Sequence, residues 1–166
     1  RYPNWNFVRF RPEDLDAFAQ SFAGAPFLRN HAMQDIAARD GIVTACFMHG
    51  PDMHARIKLT TQEGIRDFLA GRIDRFSISW FQHGAPQCSV CGEEWSRGAC
   101  THQPGEVYKR PQSGGEKGHS SPDGEKPDGE KPDGEKVVCE LIHLEPVGRE
   151  ISAVNVPASP GTHVLS

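Results

Sequence analysis

The sequence predicts an α+β domain built on a β-barrel or strongly curved sheet of about six or seven strands with flanking helices. Three observations carry this. Short apolar runs with period-two alternation recur between turn residues, two segments place apolar residues at helical spacing, and 166 residues with 37% hydrophobic content suit one domain with a core.

The elements follow in order. Trp5, Phe7 and the run 8–10 read as a short strand, after which Pro12 opens a helix over 13–22. Leu15, Phe18, Ala19 and Phe22 lie on one face of that helix, acids fill its first turn, and Gly24, Ala25 and Pro26 close it. Strands are expected at 42–48 and 55–59. A second helix starts at Thr60, with Glu63 at capping-box spacing, an apolar face of Ile65, Phe68 and Leu69, and Gly71 at its end. In the next strand, Ile73, Phe76, Ile78 and Trp80 surround Ser77 and Ser79, so alternation puts the serines on one face. Two further strands are expected at 137–144 and 151–156.

Between them lies the segment 109–136, almost free of apolar residues, in which Pro-Asp-Gly-Glu-Lys occurs at 122–126, 127–131 and 132–136. Such a composition cannot bury enough surface to offset its ordering entropy, so a flexible surface insertion is expected there. Each copy carries two acids and one lysine, so the repeats hold −3 of the net charge of −4. The rest of the chain is close to neutral, which gives no support to nucleic-acid binding through bulk charge. No apolar run approaches a membrane span and no signal-like start is present, so neither membrane insertion nor Sec-type secretion is expected.

Cys88, Cys91, Cys100 and His102 make the sharpest local motif. A Cys-x-x-Cys turn presents two thiolates to one metal, and Cys100 with His102 completes a Cys₃His set of zinc type within a loop at 82–105. That loop is poor in apolar residues, so a structural Zn²⁺ would replace its missing core. Four protein ligands leave no open position, which makes the site structural rather than catalytic. His83 is the reserve ligand, and Cys139 reads as a core residue of the strand 137–144. A zinc knuckle gripping single-stranded nucleic acid is the competing reading, with only Arg97 as a basic residue in the loop.

Three further segments resemble, in order, the motifs of the tailed-phage prohead (head maturation) serine proteases, which are related to herpesvirus assemblin. Residues 25–31, Ala-Pro-Phe-Leu-Arg-Asn-His, followed by Gly41-Ile-Val, resemble the family's histidine motif. Residues 71–80 resemble its glycine, strand and Ser-Ile-Gly-Phe signature, and 149–160 its Glu-Ile-Ser segment followed by Pro-Ala-Asn-Pro. Ser79 stands where the family has glycine, and Ser159 where it has asparagine.

The resemblance implies an assemblin-like barrel spanning 1–166 as one protease-like domain, with Ser77 as nucleophile, His31 as general base and Glu150 as third member. His143 is the substitute to test for that third place, because assemblins carry a second histidine there. The implied activity is a serine endopeptidase processing scaffold and major capsid protein inside the immature phage head, in the host bacterial cytoplasm. A homo-oligomer is open to it. The alternative is a non-catalytic capsid-assembly or interaction domain with the same fold and structural zinc. The chemistry is coherent by itself: a serine hydroxyl is a poor nucleophile until a histidine takes its proton, and that histidine needs a partner to fix its tautomer.

Overall fold

The computed structural model describes residues 4–95, 100–109, 135–159 and 161–165. Along the chain it contains β1 (Val8–Phe10), a 3₁₀ turn at Pro12–Asp14, α1 (Leu15–Ser21), β2 (Pro26–Arg29), a 3₁₀ turn at Ile36–Ala38, β3 (Arg39–His49) and β4 (Asp52–Leu59). Then come α2 (Gln62–Leu69), β5 (Phe76–Phe81), β6 (Gln87–Cys88), β7 (Val107–Lys109), β8 (Lys136–Val138), β9 (Leu141–His143) and β10 (Val147–Ala153).

The α+β class is as expected, but the sheets do not close into a barrel. A five-stranded sheet runs β4-β3-β2-β10-β5, a three-stranded one β1-β9-β6, and β7 pairs with β8 alone. Closure would need the edge strands β4 and β5 to join. Instead the apolar side of the large sheet is covered by a helix. Phe18, Ala19 and Phe22 pack with Phe27, Val43, Cys46, Ile73 and Ile151. Trp80 of β5 meets Phe10 of β1 at 5.1 Å and 81°.

Short strands explain the larger count of elements. β2, β6 and β7 have two to four residues each, too few for alternation to register in sequence. The strand expected at 137–144 divides into β8 and β9, and the one expected at 151–156 is β10, shifted toward the N-terminus. The ends of the expected insertion are strands rather than linker, since Lys109 of β7 pairs with Lys136 of β8. Residues 110–134, with most of the repeats, lie outside the described residues.

α2 differs most from expectation. Its cap is Thr61, whose Oγ1 accepts from Gly64 N–H at 2.9 Å and donates to Asp40 at 2.6 Å. The face predicted to be buried points outward: Ile65, Phe68 and Leu69 are 44%, 40% and 78% exposed. Gly64 and Asp67 face inward instead. Buried Asp67 binds Arg29 at 2.8 Å and Arg72 at 2.9 Å, and Arg29 also binds buried Asp40. A Cβ on Gly64 would sit 3.0 Å from the Asp40 carboxyl group, so only glycine lets the helix approach this closely. This ion-pair network, invisible to hydrophobic periodicity, sets the orientation of the helix.

Candidate functional site

β10 lies between β2 and β5, and its alternation divides core from cleft. Ile151 enters the core, while Glu150 and Ser152 point to the other face. In the antiparallel ladder Glu150 is opposite Ser79 and Ser152 opposite Ser77. Opposed residues share a face, so all four polar side chains project from the same side of the sheet. A bulge between Gly148 and Glu150 sets this register.

His31 comes from the other neighbour of β10. β2 runs parallel to β10, and beyond it Asn30 and His31 both adopt positive φ, 47° and 58°. Non-glycine residues rarely do so, and here the turn is held by β10: Asn30 N–H donates to Ala153 O at 2.9 Å and His31 N–H to Ser152 Oγ at 3.1 Å. The turn sends the ring back along β10, where His31 Nδ1 is 2.6 Å from Glu150 Oε1. Ser152 Oγ donates to Glu150 Oε2 at 2.5 Å. Glu150 is fully buried, yet both of its oxygens are bonded. With the carboxylate ionised, Nδ1 is the protonated nitrogen and Nε2 keeps its lone pair.

His31, Ser77 and Ser79 line one cavity of about 1600 Å³, with Phe27, Phe76 and Trp80 in its walls. Ser79 Oγ is buried without a hydrogen-bond partner. Among the described residues the ring bonds to Glu150 and to neither serine of β5. His143 is engaged elsewhere: in β9 its Nδ1 accepts from Trp80 Nε1 at 3.0 Å, and burial lowers its pKa below the ordinary histidine value.

The second cluster sits beside the small sheet. β6 delivers Cys88, a turn with Gly92 at φ 77° brings back Cys91, and Trp95 Nε1 fixes the returning chain through His102 O at 3.1 Å. The donor atoms of Cys88, Cys91, Cys100 and His102 all lie within 4.8 Å of one another. Cys91 and Cys100 sulfurs are 3.7 Å apart, and His102 Nδ1 is 3.6 Å from Cys88 Sγ and 3.4 Å from Cys100 Sγ. Metal bonds of about 2.3 Å to sulfur and 2.0–2.1 Å to nitrogen give tetrahedral edges of about 3.8 and 3.5 Å, close to these three separations, so the group is compatible with a metal site.

The thiols are electrostatically unequal. Burial pushes Cys88 up, but N–H groups of Cys91 and Val90 and the thiols of Cys100 and Cys91 outweigh it, leaving about 6. Burial and the neighbouring sulfurs raise Cys100 to about 11, although a backbone N–H at His102 opposes this, and they raise Cys139 to about 12. His83 lies outside the group. Cys139 is buried as expected, but between β8 and β9 and against Cys88, not within a continuous strand.

Sequence reasoning passed over Ser152. The signal for Ser152 was present, since it lies two residues beyond Glu150 on a strand and so shares its face. None of the described helices is long and apolar enough to cross a membrane. Comparison of the chain with family models, characterised proteins and solved structures finds no match in any of the three, so the meaning of the two clusters rests on their own atoms.

Proposed function

We propose that this protein is a serine endopeptidase, with Ser77 as nucleophile, His31 as general base and Glu150 as the group that orients the base. The observation that carries the reading is the fully buried Glu150 carboxylate, held 2.6 Å from Nδ1 of His31, whose ring lines the same cavity as Ser77. A buried carboxylate bonded to an imidazole fixes the tautomer and stabilises the imidazolium that forms during acyl transfer. His31 Nε2 takes the Ser77 proton as Oγ attacks the scissile carbonyl, then gives it to the leaving amine. Water repeats the cycle on the acyl-enzyme. The Ser77 to His31 hydrogen bond forms as the substrate settles, since catalytic hydrogen bonds commonly tighten only in the complex.

Following the resemblance of its motifs, the substrates are scaffold and capsid-protein segments in an immature phage head. The ion at the Cys₃His cluster is zinc, in a structural role, because four protein donors leave no position for water.

A second reading, a non-catalytic assembly domain of the same fold, is favoured by one observation, the lack of a hydrogen bond between His31 and either serine of β5. Labelling with a fluorophosphonate followed by peptide mapping decides between the two. Labelling on Ser77, lost in Ser77→Ala and kept in Ser79→Ala, is the expected result. Absence of any label and of any cleavage of a scaffold-like protein by the wild type would leave the assembly-domain reading.

A further inference from the structure

A further buried sulfur, that of Cys139, lies outside the four-donor group but beside its member Cys88. Cys139 Sγ lies 3.8 Å from Cys88 Sγ, and the Cys91 to Cys100 separation is 3.7 Å. Both equal the sulfur–sulfur edge of a tetrahedral thiolate site, about 3.8 Å for bonds of about 2.3 Å.

The fold places this thiol deliberately close. Apolar patterning would extend one strand across 137–144, but the ladder breaks between β8 and β9. At the break, Cys139 N–H donates to Glu106 O at 2.8 Å and Cys139 O accepts from Gly105 N–H at 2.9 Å. The loop making these bonds is itself seated, since a Cβ on Gly105 would meet the Phe7 ring at 2.7 Å. The chain thus crosses from the β7–β8 hairpin to the small sheet at Cys139, with its side chain fully buried beside Cys88 and Val90.

Charge ranks the two donors that compete for the fourth position. A divalent ion with three thiolates and a neutral imidazole carries −1, whereas four thiolates carry −2, and an extra buried charge is costly. His102 is therefore the resting ligand. We propose that Cys139 is the reserve ligand of this metal centre, taking the position of His102 when the imidazole leaves and converting the site from Cys₃His to Cys₄. In the exchange the metal–nitrogen bond breaks, a metal–sulfur bond forms and the thiol proton passes to water. The inference rests on the reading of Cys88, Cys91, Cys100 and His102 as metal ligands.

Cobalt substitution of the full chain tests it, because the sulfur-to-cobalt charge-transfer band grows with the number of bound thiolates. Wild type should take one Co²⁺ per chain with a three-thiolate band, and Cys139→Ser should match it. His102→Ala should still take one Co²⁺, with the band raised by roughly one third as three thiolates become four. The double variant, His102→Ala with Cys139→Ser, should lose that gain and bind at least tenfold more weakly. Should His102→Ala fail to fold, His102→Gln, which keeps bulk beside Tyr108, gives the same readout. The inference is overturned if the His102 variants bind no cobalt or keep a three-thiolate band, or if Cys139→Ser alone abolishes binding. A wild type that binds neither Co²⁺ nor Zn²⁺ overturns the ligand reading itself, an outcome distinct from these.

Discussion

A single buried carboxylate organises the cleft. Glu150 has no contact with solvent, and its two oxygens are taken by His31 Nδ1 and Ser152 Oγ. Ser152 in turn accepts from the His31 backbone N–H, so one hydroxyl holds both the Glu150 carboxylate and the turn of positive φ that presents His31. On the endopeptidase reading, Glu150→Gln should keep a folded chain but slow cleavage by roughly 10³–10⁴-fold, because the amide favours the wrong imidazole tautomer. Ser152→Ala in the same series should lower stability by about 1–3 kcal/mol, since it leaves one carboxylate oxygen unpaired in a buried position. Cleavage rates and urea melts check both. A Glu150→Gln rate equal to wild type would remove Glu150 from the mechanism.

Two strand-level features limit what the elements tolerate. Gly148, at the bulge of β10, lies against the buried ring of Phe22, the residue that caps the C-terminal end of α1, and a Cβ there would fall 2.5 Å from a ring atom. Gly148→Ala should therefore cost about 1–3 kcal/mol in chemical denaturation, as overpacked sites do. It should also move the bulge that sets Glu150 opposite Ser79. The β7–β8 hairpin behaves differently, because Lys109 and Lys136 are paired at its base whatever the length between them. Loop-closure entropy grows only with the logarithm of length, so removing two of the three Pro-Asp-Gly-Glu-Lys copies should change stability by less than about 1 kcal/mol. A large fall in Tm would show that the repeats pack on the domain.

At the scale of the molecule there are two cores of different kinds. The large sheet and α1 enclose an aromatic and aliphatic core, whereas among the described residues the small sheet buries a cluster of Cys88, Val90 and Cys139, with Tyr108 and Val137 packed against it. On the structural-zinc reading, a bound ion would hold so small a core, since structural zinc supplies roughly 10–16 kcal/mol of apparent folding energy in small peptides. Chelation should make 82–105 protease-sensitive while the five-stranded sheet persists. Limited proteolysis with mass spectrometry, alongside far-UV circular dichroism, reads the two parts separately. Simultaneous loss of both would mean that the cores fold as one unit.

The sequence by itself determined what depends on neighbours along the chain. The α+β class, the apolar face of the first helix, which runs over Leu15–Ser21 after a 3₁₀ turn rather than over 13–22, the serines of β5 on one face and the Cys₃His spacing are all local patterns, set by side-chain periodicity or by the reach of a short turn. The resemblance brought His31, Ser77 and Glu150 into one reading, but only the tertiary structure seated Glu150 beside the histidine, because strand order and register are contacts between distant residues. Tertiary structure alone decided that the sheet stays open, since α1 covers the side a closed barrel would have enclosed. It also turned the apolar face of α2 outward, because Asp67 and Gly64 answer to Arg29 and Asp40, charges contributed by other strands. Cys139 shows the same limit at one atom: apolar neighbours made it look like strand core, while a break in the ladder set its buried sulfur 3.8 Å from that of Cys88. Periodicity encodes which face a residue occupies, and only chain crossings encode what that face meets.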